Sequence, residues 1–576
     1  MTQIDIDSFN EKIRILALEN ATTYKGKANP KALIGKAVAT FPEIKTDMKT
    51  YMSKIEEIVE NINQLSYEEQ IEELKQISPE SLQKKEPKEK NKRDGLPELE
   101  NTEEEVVVRF EPAPSGYLHI GHLFGIVANY ETKLKYNGKI VLRIADTNPE
   151  GINKENYDKV IEDINWLCEN DIDQIEYQSK RLPTYYKYLT TLIETGDAYV
   201  CECDPETFKA YTDAKEECPH AKQTIEEQKE KYNNFMNNKE AEGVIRFRAD
   251  ITHKNPALRS FSLARINNTP HPYADKNYHV WPTMNLAVAI DDSLMGITHV
   301  IRGKDHEINM ERQKMVQKSL GLRTPNYFHF GRMKFTDLEL SKSKLTKKIL
   351  GGIYTGWDDP RVPSIVSYRK RGFQAEAMRK FILSLGISKR DSKISSDEFH
   401  KGLYYHNKQI IEPTSNHYFF VNSPISVQIK NPEDIDFDEI TIQKHPNNPN
   451  HGWRHIPVSK EVLISSYDLN SFGKGDIIRL MHFGNFEVEE LSPKIILKYH
   501  SKNYDKSIGI KKTIHFVNPF YCLDGEIILQ DANVVKGFFE KTHLDIGEII
   551  QFERFGFVRL SHIKKDGTYV FYFTNS

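Results

Sequence analysis

Apolar residues along the chain fall into three successive patterns. From Met1 to about residue 82 they recur at helical steps. Phe9, Ile13, Ile15, Leu16 and Leu18 form one set, and Met52, Ile55, Ile58, Val59, Ile62 and Leu65 another, so this stretch predicts a small helical domain. From Glu105 short apolar strands alternate with helical patterns. Val106-Val107-Val108-Arg109-Phe110 reads as a buried strand, followed by the Pro/Gly loop Pro112-Ala113-Pro114-Ser115-Gly116. A helix is predicted from about His119, with Ile120, Leu123, Ile126, Val127, Tyr130 and Leu134 apolar. Ile140 to Ile144 is a second strand, and Asn156 to Cys168 and Leu182 to Thr195 are further helices. Strand and helix in alternation predict a parallel α/β sheet. Beyond about Gln409 the third pattern takes over, with short strand-like runs such as Tyr418–Val421, Ile477–Met481 and Tyr569–Phe573 separated by turn signals. That pattern predicts β-barrels.

The α/β alternation is interrupted between about 198 and 277. This interval holds a Cys/His cluster, a charged helical segment near Glu226–Lys231 and one strand, Gly243–Arg248. The alternation resumes at Tyr278 and runs to about Phe335. The predicted organisation is therefore a helical domain 1–82 and a linker 83–103, then an α/β domain made of 104–197 and 278–335. An insertion 198–277, a mostly helical region 336–408 and a β-barrel region 409–576 complete it. The linker contains Lys84, Lys85, Lys88, Lys90, Lys92 and Arg93 with Pro87 and Gly95 but no apolar anchor, as a solvated segment does.

A chain of 576 residues is expected to hold several domains. No stretch approaches the roughly 18 consecutive apolar residues of a membrane span, and Met1-Thr2-Gln3-Ile4-Asp5 lacks the basic and apolar parts of a secretory signal. The expected compartment is the cytoplasm. Five cysteines argue against a disulfide framework. A net charge of −4 counts mildly against nucleic-acid binding, although a local basic surface suffices for it.

Ligands of parallel α/β sheets sit where strands pass into helices, and Arg109 to His122 is such a passage. Its helix N-terminus offers free N–H groups suited to phosphate. Gly116 and Gly121 permit close backbone approach, and His119 and His122 lie about one turn apart. His119-Ile120-Gly121-His122 after that strand and loop matches the HIGH signature of class I aminoacyl-tRNA synthetases. Glu339-Leu340-Ser341-Lys342-Ser343 resembles their second signature, Lys-Met-Ser-Lys-Ser, with Glu339 in place of the first lysine.

The likeness is closest to the archaeal-type glutamyl branch of that family. Arg143-Ile144-Ala145-Asp146-Thr147-Asn148-Pro149 and Gly356-Trp357-Asp358-Asp359-Pro360-Arg361 resemble segments shared with the glutaminyl branch, and Ile297 to His306 resembles the glutamyl branch. The likeness runs from about residue 10 to 420 at motif level. The resemblance implies a Rossmann-like class I catalytic domain, an inserted domain that binds the acceptor stem and C-terminal barrels that bind the anticodon. It further implies ATP with Mg²⁺, L-glutamate and tRNA(Glu) as partners, and leaves charging of tRNA(Gln) open. In this likeness His119, His122 and Lys342 are catalytic. Pro112, Ser115, Gly116, Gly121, Ser341 and Ser343 join them around ATP, and Arg109, Asp146, Met284 and Arg302 hold the amino acid.

Arginine is the expected selector of a carboxylate side chain, because its planar fork pairs with carboxylate in bidentate fashion. Two positions depart from the family. Ala145 stands where many members keep an acidic residue for the α-amino group, and Met284 stands where many keep tyrosine. Cys201-x-Cys203 and Cys218-x-His220 offer three thiolates and an imidazole, a set suited to structural tetrahedral Zn²⁺. Some glutamyl enzymes carry a similar site. The rival readings are a glutaminyl enzyme and a non-catalytic RNA-binding relative. Of the C-terminal aromatics Phe486, Tyr499, Tyr504, Phe520, Tyr521, Phe552, Phe555 and Phe557, most are expected in barrel cores.

Overall fold

The computed structural model of the protein describes residues 5–23, 26–78 and 95–576, and the chain forms two compact units, Met1–Arg93 and Asp94–Ser576. The linker stretch Gln83–Asp94 lies outside the described residues. From Gly95 onward the expected linker is docked in the second unit. The Gly95 carbonyl accepts from Ile387 N at 2.6 Å, and a Cβ there would lie 2.1 Å from the Leu383 carbonyl oxygen.

The first unit contains helices Ile6–Thr23, Pro30–Thr40, Met48–Asn63 and Tyr67–Ile77. Their apolar stripes meet in one core of Phe9, Ile13, Ala17, Ile55, Val59 and Ile62, as the helical spacing predicts. Ser66 and Glu69 form a reciprocal capping box that starts the last of these helices.

In the second unit, β1 (Val107–Phe110), β2 (Lys139–Ile144) and β3 (Gln174–Tyr177) pair in parallel. A second parallel pair is β4 (His299–Gly303) with β5 (Asn326–Phe330). Thr298, which precedes β4, joins the halves: its N donates to the Val107 carbonyl at 2.9 Å, and its Oγ1 accepts from Val107 N at 2.8 Å. The spatial order is thus β3-β2-β1-β4-β5, with the winding reversed between β1 and β4. Helices Leu123–Tyr136, Lys154–Leu167 and Glu307–Ser319 make the crossovers. Covered on both faces, the strands bury Val108, Ile140, Leu142, Ile144 and Ile301, which is why they read as near-continuous apolar runs.

The insertion is an antiparallel sheet of Ala198–Cys201, Val244–Phe247, Phe261–Ile266 and Val280–Pro282. Val280–Pro282, expected to open the second half of the α/β domain, instead completes this sheet. Its core is continuous with Tyr185 and Leu189 before it and Leu286 and Ala287 after it, so apolar spacing carries no mark of the boundary.

Helices Lys342–Leu350, Ile365–Arg371, Ala375–Leu385 and Ser396–Ile411 follow. Ala375–Leu385 buries Met378, Phe381 and Ile382, while Leu385 is exposed. The C-terminal region forms two closed sheets. One has seven strands, and its edges, His417–Tyr418 and Phe420–Asn422, are separated only by Phe419, so it wraps onto itself. The other has six strands, and Leu463 and Val517 exchange backbone hydrogen bonds at 2.9 and 3.0 Å to close it. Among the described residues no helix is long and apolar enough to cross a membrane.

Candidate active site

The reversal between β1 and β4 opens a crevice at the carboxyl ends of these strands, where α/β sheets bind ligands. The chain leaving β1 passes through Pro112–Gly116 into the 3₁₀ turn Ile120–His122 and then helix Leu123–Tyr136. His119 caps the turn: its Nδ1 accepts from Gly121 N at 3.1 Å, while His122 Nδ1 accepts from His119 N at 3.2 Å. The two rings lie 4.0 Å apart between centroids. A Cβ at 121 would lie 2.8 Å from His119 Cε1, so any larger residue there would displace the His119 ring. Gly116 has φ +127°, a conformation L side chains rarely adopt. The Pro112 carbonyl accepts from Ala145 N at 2.9 Å, tying the loop to the end of β2.

Lys342 folds over this loop. Its Nζ donates to Ser115 Oγ at 2.8 Å and to the Gly116 carbonyl at 3.2 Å, so the two sequence signatures are one site. Ser341 is the N-cap residue of helix Lys342–Leu350, with Ser343 exposed in its first turn. Glu339, which replaces a lysine of the family signature, accepts from Ser341 N at 3.0 Å and pairs with Lys344 at 2.8 Å. Burial, then the charge of Lys342, lowers the pKa of His119 to about 4. Burial, His119 and Lys342 lower that of His122 to about 3. Burial lowers that of Lys342 to about 8. Near neutrality the two imidazoles are uncharged and the lysine carries the positive charge.

Beside this loop lies a cavity of about 280 Å³ lined by Arg109, Glu111, His122, Met284, Arg302 and His306, among others. Arg109 and Arg302 are 3% and 8% exposed. Arg109 Nε donates to Asp292 Oδ1 at 3.1 Å, and its Nη2 lies 3.5 Å from Glu111 Oε2 without a hydrogen-bond partner. Arg302 is held by neutral acceptors: Gln313 Oε1 at 2.9 Å, the His306 carbonyl at 3.3 Å and His329 Nε2 at 3.4 Å. No ion pair among the described residues involves Arg302. Burial, then repulsion from Arg109, lowers its pKa to about 10. The cavity therefore holds a desolvated guanidinium that lacks a counter-anion, a costly state unless an anionic ligand completes it.

Residues 105–409 match the family described as tRNA synthetases class I (E and Q), catalytic domain, and residues 415–502 match its anti-codon binding domain. The chain belongs to the class I (E and Q) tRNA synthetases. Its relatives include the glutamate–tRNA ligase of Methanocaldococcus jannaschii, 38% identical over 560 residues covering 97% of this chain and 98% of that protein. The glutamate–tRNA ligase of Pyrococcus furiosus is 38% identical over 569 residues, 96% of this chain and 98% of that protein. Among solved structures, a glutamate tRNA ligase from Elizabethkingia meningosepticum in complex with its amino acid covers 54% of this chain and 71% of its own. Its TM-score is 0.39 at 21% identity.

Within this synthetase the expected residues fall into two groups. His119, His122, Lys342, Ser115, Gly116 and Gly121 converge at the loop, and Arg109, Arg302 and Met284 at the adjoining cavity. Asp146 does not join them. It is wholly buried, with Oδ1 accepting from Ser179 N at 2.7 Å and Oδ2 from Ser179 Oγ at 2.6 Å and Tyr157 OH at 2.9 Å. The chain leaves β2 in a tight turn, Asp146 N donating to the Ile144 carbonyl at 3.1 Å, and the Asp146 side chain packs on Ser179 and Tyr157, so a carboxylate at 146 does not substitute for one at 145. Glu111 was missed by the sequence reading, although it lies two residues beyond Arg109 in extended chain and so faces the same way.

The insertion of this synthetase brings Cys201, Cys203, Cys218 and His220 together, all ligand atoms within 4.8 Å of one another. Cys201 Sγ lies 3.9 Å from Cys218 Sγ, and Cys203 Sγ lies 3.3 Å from His220 Nδ1. A tetrahedron of Zn–S bonds about 2.3 Å long has S–S edges of about 3.8 Å, so the spacing fits that ion. His220 Nε2 faces Glu202 Oε2 at 3.3 Å.

Proposed function

We infer that this chain is a glutamate–tRNA ligase that activates L-glutamate with ATP and transfers it to the 3′ end of tRNA(Glu). The observation that carries this reading is Arg302, buried beside Arg109 with no counter-anion, in a cavity that adjoins the paired histidines and Lys342. A glutamate side chain supplies the missing charge. A glutamine side chain leaves the guanidinium uncompensated.

In the first step the substrate's α-carboxylate oxygen attacks the α-phosphorus of ATP, the P–O bond to the β-phosphate breaks, and pyrophosphate leaves with the nucleotide's Mg²⁺. Charge accumulates on phosphate oxygens, where fixed donors lower the barrier. Lys342 supplies a charge, His119 and His122 supply neutral N–H donors, and Ser115, Gly116, Gly121, Ser341 and Ser343 shape the phosphate cradle with Pro112. In the second step a terminal ribose hydroxyl of tRNA attacks the adenylate carbonyl and AMP leaves. The inserted sheet would hold the acceptor end, and the barrels the anticodon. Of the barrel aromatics, Phe486, Phe552 and Phe557 are fully buried, whereas Tyr504 and Phe520 are 58% and 80% exposed and available for base stacking.

ATP–pyrophosphate exchange run with tRNA present is the test. Exchange is expected with glutamate and not with glutamine. Exchange with glutamine alone, or with neither, overturns the reading. Charging of purified tRNA(Glu) and tRNA(Gln) side by side separates a discriminating enzyme from a relaxed one.

The Cys201, Cys203, Cys218 and His220 set is proposed to hold structural zinc, a closed site with no open position for chemistry. About one zinc per chain is expected by metal analysis. Cys203→Ser or a strong chelator is expected to lower the Tm, because binding free energy at such a site is folding free energy. An unchanged Tm after complete metal removal counts against it.

A further inference from the structure

We propose that Glu111 receives the α-ammonium group of the amino acid, so that Glu111 and Arg302 gauge opposite charges of one substrate. The proposal rests on the glutamate reading above and names a residue that reading does not use. An ammonium leaving water for this cavity calls for a charged acceptor, since an unpaired buried cation is among the costliest groups to carry. Four other carboxylates near the cavity are directed elsewhere. Asp146 is turned away toward Ser179 and Tyr157. Asp291 and Asp292 are wholly buried and lie outside the cavity lining, Asp291 bound by Arg181 and Tyr185, and Asp292 by Arg143 and Arg109 through Oδ1, with its Oδ2 buried and unbonded. Asp305 lines the rim, is 42% exposed and faces Arg332 and His306.

Glu111 lines the cavity with its side chain 8% exposed. Three donors fix it from behind: Gln178 Nε2 at 2.9 Å and Arg143 Nε at 3.3 Å on Oε1, and Arg143 Nη2 at 3.1 Å on Oε2. A carboxylate accepts at about four positions, so one remains on Oε2, the oxygen nearest the unbonded Nη2 of Arg109. Charge agrees. Arg109, Arg143 and Arg181 are matched by Glu111, Asp291 and Asp292, which leaves Arg302 as the surplus cation. Free glutamate, with one ammonium and two carboxylates, carries the complementary single negative charge.

The test compares L-glutamate with glutarate, which keeps both carboxylates and lacks the ammonium, in tRNA charging by the full-length protein. Glu111→Gln is expected to raise the KM for glutamate by about ten- to a hundredfold, the loss typical of a hydrogen bond to a charged group. The inhibition constant of glutarate should stay within about twofold, as that ligand makes no such bond. Glu111→Asp, which keeps the charge next to Arg143, should fall between in glutamate KM and again spare glutarate. Equal losses for the two ligands in both variants, or no loss for glutamate, overturn the proposal. A wild-type protein that does not charge with glutamate overturns instead the reading beneath it, and the proposal falls with that reading.

Discussion

Arg302→Gln is expected to lower kcat/KM for glutamate by about 10²- to 10³-fold while leaving the free protein at least as stable as before. Truncating one partner of a buried, hydrogen-bonded charge pair costs about 2 to 5 kcal/mol, a span that brackets this range. The stability half follows from the state of Arg302 without substrate. Its guanidinium is 8% exposed and bonded only to Gln313, His329 and a carbonyl. Folding lowers its pKa to about 10, chiefly through burial. A cation whose pKa is lowered by folding destabilises the fold wherever it is protonated in both states, and the penalty is relieved only as pH rises through about 10. At pH 7 the full penalty is present, and glutamine removes the charge that causes it. Thermal melts should show an unliganded Tm equal to or above wild type, and the rise in Tm that glutamate gives the wild type should vanish. A variant that melts lower and still selects glutamate would place the specificity elsewhere.

The helical, α/β and barrel regions were legible because apolar spacing reports which face each element buries. The phosphate loop was legible because its glycines and histidines answer to local geometry: Gly121 lies against His119, and Gly116 lies in a positive-φ turn. What spacing cannot report is contact between distant segments. Val280–Pro282 reads the same whether it joins the inserted sheet or the parallel one, because both bury it. Asp146 carried a chemically suitable group, yet the turn that ends β2 sends it toward Ser179. Glu111 drew no notice beside Arg109. The sequence does not show that Arg143 and Gln178, from β2 and the segment after β3, come up behind its carboxylate.

Lys342→Ala is expected to slow adenylate formation by about 10²- to 10³-fold, the usual cost of removing one donor from a transition-state oxyanion. Its pH signature identifies the group. In the free enzyme the lysine's pKa lies at about 8 because its Nζ is partly buried over Ser115 and Gly116. kcat/KM for ATP should therefore fall as pH rises past about 8 in the wild type. Bound phosphates favour the charged lysine, so the corresponding fall in kcat should lie at higher pH. Lys342→Arg should recover part of the rate and lose the alkaline fall, since a guanidinium does not titrate there. His119 and His122, held near 4 and 3, stay neutral across this range and add no fall between about 5 and 9. They act as N–H donors, so His119→Asn, which keeps a neutral donor, should cost less than Lys342→Ala. An alkaline fall that persists unchanged in Lys342→Ala would show that another group titrates, and the assignment of Lys342 as the phosphate cation would then be lost.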